Sequence, residues 1–95
     1  MKIQLGKFYK TRNNAIVKII KRRSEYWKNY PFVAFVIDLE HYTGPKQNMV
    51  VGIDFTVSET GKWGKNKVNE FDLVEEAGNW DYMNPNRSQG WQKIV

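Results

Sequence analysis

The chain has 95 residues, of which 41% are hydrophobic, and a formal net charge of +5; this length suits one small domain, and this composition excludes disorder throughout. The absence of cysteine excludes disulfide bonds, thiolate catalysis and cysteine-based metal sites. No stretch is long and apolar enough to span a membrane and the N-terminus has no apolar signal region, so we expect a soluble, cytoplasmic protein.

Five short apolar or alternating segments predict β-strands separated by Gly, Pro and Asn turns. In chain order they are residues 6–11, 15–21, 30–39, 49–57 and 68–75. Asn13 and Asn14 are typical turn residues, so the first two strands are expected to form a hairpin. No segment keeps a helical apolar pattern over several turns, and residues 69–77 are the best helical alternative.

The third segment, residues 30–39, is the longest apolar run and is expected to lie at the centre of the fold. Its Val, Phe and Ile side chains suit a pleated sheet. The face predicted to point into the core consists of Val33, Phe35, Ile37 and Leu39. The opposite face begins apolar and turns polar at Asp38, as in a strand that is buried early and more solvated later.

These strands predict an all-β fold, a small antiparallel SH3-like barrel of about five strands. We assign residues 1–77 to this domain. Residues 78–95 lose the periodicity, and we predict an irregular C-terminal tail there, with a short docking segment at its end as the alternative. The polar connection at residues 21–29 is either a basic hairpin tip or an extended loop.

Several short motifs are shared with a known group of proteins. They are Gly6, Tyr9, Thr11, Arg12 and Asn13, then Tyr30-Pro31-Phe32, Thr60-Gly61-Lys62 and Asp72-Leu73-Val74-Glu75. Over about residues 5–76 the chain resembles the small SH3-like proteins encoded in early regions of tailed bacteriophages, many without assigned function. It departs from them at Asn14 and Ala34, where Gly is usual. The resemblance implies a phage protein that acts in an infected bacterium, often by binding a host factor, and it transfers no catalytic residue.

Residues suited to catalysis are few. His41 is the only histidine, so a histidine-based metal site or proton relay has no second member. The candidates for paired carboxylates are Glu70, Asp72, Glu75 and Glu76, and a solvated strand face explains them equally well. The glycines around Trp63 lack the spacing of a phosphate-binding loop. We therefore predict a protein that is not an enzyme and has no cofactor or metal site.

The cations are concentrated near the N-terminus. Residues 1–30 carry nine Lys and Arg against one acidic residue, while the rest of the chain is net negative, which indicates an anionic partner. Lys and Arg neutralise phosphates, and exposed aromatic rings stack on unpaired bases. Two segments combine both residue types. The residues predicted to bind RNA or single-stranded nucleic acid are Lys21, Arg22, Arg23, Tyr26, Trp27, Lys28, Trp63 and Lys65.

A protein partner is the alternative. The C-terminal segment carries Trp80, Tyr82 and Trp91, residue types that are enriched among interface anchors. In this hypothesis the chain is an inhibitor or regulator of a host factor, such as an anti-defence protein or one that blocks a nuclease, toxin or polymerase. The other interpretation is that the tail covers an open end of the barrel. An exposed sheet edge would also allow a homodimer.

Overall fold

Seven strands in two antiparallel sheets form the regular structure of the residues that the computed structural model describes, 1–23, 29–65, 68–82 and 90–94. They are β1 (Phe8–Thr11), β2 (Ile16–Arg22), β3 (Phe32–Asp38), β4 (Asp54–Val57), β5 (Leu73–Glu76), β6 (Asn79–Tyr82) and β7 (Trp91–Ile94), with a 3₁₀ turn at Lys46–Asn48. The predicted all-β class is confirmed. Within these residues, no helix has the length and apolar character needed to cross a bilayer.

The larger sheet has the strand order β4-β3-β2-β1-β5. β1 therefore lies between β2, its neighbour in the chain, and β5, which is far from it in sequence. The sheet does not close into the predicted barrel, because among the described residues β4 and β5 are its two edges. Both edge strands have only four residues. The loop after β4 bridges the gap instead, where Leu73 N donates to Gly61 O at 2.8 Å.

The turn between β1 and β2 forms as predicted. Asn14 has a φ of 68°, in the left-handed region that Asn tolerates better than most residues with a side chain. Thr11 Oγ1 accepts a hydrogen bond from Ala15 N at 3.0 Å and closes the turn. Gly and Asn both suit this backbone conformation, so Asn14 can occupy the position without glycine.

The fourth and fifth strands have four residues each, about half of their predicted lengths. The strand prediction is wrong for residues 49–53, because the chain turns there: Gly52 has a φ of 99°, and Ile53 N donates to Val50 O at 3.2 Å. The regular strand, β4, begins only at Asp54. The fifth strand begins at Leu73; its extended backbone replaces the helical alternative considered for residues 69–77.

Two apolar cores lie on opposite faces of the larger sheet. The larger core consists of Ile3, Tyr9, Ala15, Val17, Ile19, Phe32, Ala34, Val36, Met49, Val57 and Leu73. The smaller core consists of Phe8, Ile16, Ile37 and Ala77. β3 contributes to both cores, but the middle strand of the sheet is β2 and not β3. The larger core takes the face of Ala34 and not the predicted face of Ile37. Both faces of β3 are buried because the C-terminal segment covers the second one.

The C-terminal segment is a hairpin, and the prediction of an irregular tail is wrong for its described residues. β6 pairs with β7 in a register that places Tyr82 opposite Trp91. The Trp91 ring meets the Phe8 ring edge-on, with centroids 5.9 Å apart, and Trp80 Nε1 donates to Ala77 O at 2.9 Å. Each strand has only four residues with many polar side chains, which is too short a pattern for sequence periodicity to reveal.

Candidate functional site

The fold neutralises part of the basic N-terminal third. Pairing of β5 with β1 places Glu75 opposite Lys10, and their side chains form an ion pair at 3.2 Å. Lys7 and Glu76 form a second pair at 3.5 Å. The charge asymmetry of the sequence is therefore smaller in space, because the acidic residues of β5 lie against the basic residues of β1.

The end of β2 carries the first group of predicted nucleic-acid-binding residues. Lys21 and Arg22 are exposed, and Arg23 is half-buried. Arg22 binds Glu59 at 3.0 Å, and its guanidinium lies 4.9 Å from the centre of the Phe32 ring. The remaining members of this group, Tyr26, Trp27 and Lys28, lie outside the described residues. Arg22 is thus partly engaged within the protein, while Lys21 faces solvent.

Trp63 lies on the long loop between β4 and β5 and is 43% exposed. Its ring packs against Phe71 with centroids 5.6 Å apart, and Phe71 in turn contacts Phe55 at 5.0 Å. Lys62 and Lys65 flank it, and both are exposed. An indole that is supported from inside the protein and remains open to solvent can offer surface to a flat ligand such as a base.

Asp72 holds this loop from beneath. Its carboxylate is only 3% exposed and accepts hydrogen bonds from Trp63 N at 2.9 Å, from Asn69 N at 2.9 Å and from Arg12 Nη2 at 3.4 Å. Burial alone raises the pKa of Asp72, but the two main-chain donors and the Arg12 guanidinium together outweigh it, and the pKa is lowered. Asp72 therefore serves as an anchor of the Trp63 loop.

Within the described residues, no contact links the end of β2 to Trp63 or Lys65. Two residues of the loop 58–63 contact different parts of the protein. Glu59 binds Arg22, and Trp63 packs against Phe71. In the described part of the chain, no hydrogen bond, ion pair or ring contact joins Trp63 or Lys65 to Arg22. Trp63 and its flanking lysines are therefore a site of their own, here called the Trp63 platform (Lys62, Trp63 and Lys65).

The predicted protein-interface residues lie on the C-terminal hairpin. Trp80 and Trp91 are half-buried and pack against the smaller core. Tyr82 is 53% exposed, with its ring 5.6 Å from that of Trp91. The two tryptophans thus have an intramolecular role in covering the second face of the sheet. Tyr82 offers the largest exposed aromatic surface of the three.

The acidic residues considered for catalysis are dispersed among separate partners. Glu70 accepts hydrogen bonds from Asn13 at 2.8 Å, Asn48 at 2.9 Å and Tyr42 at 3.2 Å, and so ties three loops together. Asp72 anchors the Trp63 platform. Among the described residues there is no group of three or more His, Asp or Glu arranged to hold a metal ion. The cluster seen in the sequence is thus explained by structural contacts.

A cleft of about 810 Å³ opens between the larger sheet and the C-terminal hairpin. Its lining includes Lys10, Asp38, Glu40, His41, Glu75, Glu76, Trp80, Trp91 and Lys93. Asp38 is 4% exposed; burial and the nearby Glu40 charge raise its pKa, and these effects exceed the opposite effects of the Glu40 N–H and of His41. Sequence analysis missed this cleft, and its one local signal was an aspartate at the end of a buried strand.

We found no match to this chain among protein-family models, curated proteins or solved structures. The geometry of its surfaces therefore carries the functional argument.

Proposed function

We propose that the protein is a non-enzymatic module that binds RNA or another single-stranded nucleic acid through the Trp63 platform. The observation that carries this proposal is the Trp63 indole, 43% exposed on a loop that also presents Lys62 and Lys65 to solvent. Base stacking on an aromatic side chain contributes about 1–3 kcal/mol per base, and lysines add phosphate contacts.

The support beneath Trp63 favours a binding role. Its main chain is held by Asp72 and its ring by Phe71, so little conformational freedom is left to lose when a base stacks on it. A single strand is favoured over a duplex because the described residues form strands and a 3₁₀ turn, with no α-helix to enter a major groove.

The end of β2 is a secondary contact in this proposal. Lys21 is exposed and can reach a phosphate. Arg22 forms an ion pair with Glu59 at 3.0 Å. To bind a phosphate, Arg22 must leave that carboxylate or contact both groups at once. We therefore expect Lys21 to contribute more than Arg22.

The biological setting rests on the resemblance to phage proteins, which stays a prediction. In that setting the protein acts stoichiometrically on nucleic acid in an infected bacterium. Regulation of a host protein remains the alternative, and the test below separates the two.

The test is a salt titration of binding to fluorescently labelled single-stranded RNA and DNA of mixed sequence. Each phosphate contact contributes about −0.7 to the slope of log affinity against log salt concentration. The double variant Lys62→Ala with Lys65→Ala should flatten the slope by about 1.4. Trp63→Ala should weaken binding by about 1–3 kcal/mol with the slope retained, because stacking is not ionic. Trp63→Phe should recover part of the loss.

The matched control is Lys7→Ala, which removes one positive charge that is already paired with Glu76 at 3.5 Å. It should leave the slope nearly unchanged. Absence of binding at low salt would overturn the proposal, as would equal slopes for the wild type and the double lysine variant. The host-protein hypothesis would then be tested by capture of a partner on immobilised protein.

A further inference from the structure

The floor of the cleft is a row of residues across four strands. Cross-strand pairing places Glu75 beside Lys10, Lys10 beside Ile16, and Ile16 beside Asp38. Directly paired residues point to the same face of a sheet, so these four side chains share one face. The row is charged at both ends and apolar in its middle. Lys10 forms an ion pair with Glu75 at 3.2 Å, at the end of the row away from Asp38.

Asp38 is the charged residue of this row that has no ion-pair partner among the described residues. It is 4% exposed and lines the cleft. Its Oδ2 accepts one hydrogen bond, from Glu40 N at 3.3 Å, and its Oδ1 has no donor among the described residues. No cationic side chain within those residues forms an ion pair with it. This largely buried carboxylate lines the cleft, so a donor or cation bound there would meet an acceptor that has few partners within the protein.

The opposite side of the cleft is aromatic. Trp80 and Trp91 from the hairpin both line it. Trp91 is already engaged by Phe8, by Tyr82 and by the ammonium of Lys18, which lies 5.4 Å from its ring centre. Trp80 has no ring contact or cation over it among the described residues. Trp80 is therefore the aromatic side chain with a face to offer, and cations bind well to indole faces.

We propose that this cleft binds a guanidinium group, with Asp38 accepting its hydrogen bonds and Trp80 stacking on its plane. A guanidinium is weakly hydrated, planar and always charged, so it suits a buried carboxylate next to an indole better than an ammonium does. The cleft volume of about 810 Å³ is within the range of small-ligand sites. Glu40 lies beside Asp38 and adds negative charge at the mouth. The site shares no residue with the Trp63 platform and goes beyond the proposed function.

The guanidinium can belong to an arginine side chain of a partner or to a free small molecule, and the experiment distinguishes them. The probes are a capped Gly-Arg-Gly peptide and agmatine, with capped Gly-Lys-Gly and Gly-citrulline-Gly as comparators. Binding is followed by NMR through the indole N–H signals of Trp80 and Trp91. We expect saturable shifts of the Trp80 signal with both guanidinium probes. Tighter binding of the peptide would assign the source to a protein partner, and tighter binding of agmatine to a small molecule.

Asp38→Asn should weaken guanidinium binding by about tenfold or more, because it removes the charged acceptor while keeping the side-chain shape. The matched control is Glu59→Gln, which removes one negative charge outside the cleft and should leave the affinity unchanged. Equal binding of the citrulline or lysine peptide would overturn the proposal. So would the absence of any Trp80 shift with folded wild-type protein, or an Asp38→Asn variant that binds as tightly as the wild type.

Discussion

Two buried aspartates in different regions of the molecule show what burial does to a carboxylate with and without donors. Asp72, below Trp63, is 3% exposed, and Asp38, at the end of β3, is 4% exposed. Asp72 accepts two main-chain hydrogen bonds and one from Arg12, and its pKa is lowered. Asp38 accepts one main-chain hydrogen bond, and its pKa is raised. Similar exposure thus accompanies opposite pKa shifts: desolvation and the Glu40 charge dominate at Asp38, whereas the main-chain donors and Arg12 outweigh desolvation at Asp72.

The difference separates a structural residue from a candidate site residue. At Asp72 the protein itself supplies the groups that the carboxylate needs, and the result is a fixed loop. At Asp38 the protein leaves one oxygen facing a cleft. A perturbed carboxyl group of this kind, placed in a concave site, is a common mark of ligand binding.

The largest effect is expected from Asp72→Asn. The amide keeps the shape but loses the charge that three donors share, so the free energy of unfolding should fall by about 2–4 kcal/mol at neutral pH. The pKa of Asp72 is lowered from 3.8, so its contribution is present above that value and is lost as the pH falls through the folded-state pKa. Urea unfolding at several pH values should show the gap between wild type and variant closing in acid.

Asp54→Asn is the matched control for this substitution, because Asp54 is exposed on β4. We expect a change in unfolding free energy within about 0.5 kcal/mol. A gap for Asp72→Asn that does not depend on pH would contradict the assigned role of its charge.

An opposite and smaller effect is expected from Asp38→Asn. Burial raises the pKa of Asp38 above 3.8 in the folded state. The charge of Asp38 therefore destabilises the folded state as the pH rises from the unfolded-state pKa to the folded-state pKa, and the destabilisation persists at higher pH. Removing the charge should stabilise the protein at neutral pH, and the gain should vanish below the unfolded-state pKa. A loss of stability at neutral pH would mean that the protein already satisfies this carboxylate.

The smallest effect is expected from Arg12→Gln. The Arg12 side chain is 44% exposed, and ion pairs of this kind contribute about 0.5–1 kcal/mol at most. Asp72 would keep its two main-chain donors, so its pKa, followed by NMR, should rise only part of the way to 3.8. A destabilisation equal to that of Asp72→Asn would show instead that the guanidinium, and not the main chain, dominates this region.

The residues that carry the phage resemblance turn out to be structural where the structure describes their contacts. Tyr9 is fully buried, and its hydroxyl accepts a hydrogen bond from Gln4 N at 2.9 Å. Thr11 closes the first turn, and Arg12 binds Asp72. Motifs of this kind preserve a fold, so they predicted strands and turns well and contain no information about the ligand.

The Trp63 platform was partly predictable and the cleft was not. Trp63 and Lys65 are two residues apart in the chain, so their combination of ring and charge is visible in the sequence, and loop glycines on either side of Trp63 indicate exposure. The support from Phe71 and Asp72 was not visible. The cleft is assembled from β1, β2, β3, β5 and the hairpin, so no local sequence pattern indicates it.

The sequence by itself determined the all-β class, the order of the main strands and the first turn. Period-two alternation and turn residues such as Asn14 act over a few neighbouring positions, so they can be recognised from the sequence alone. Only the tertiary structure decided which distant segments meet: β5 pairs with β1 and neutralises its lysines, and the hairpin covers the second face of the sheet. Such long-range pairing depends on the packing of the whole chain, and it gives Asp72 three hydrogen-bond donors and Asp38 one.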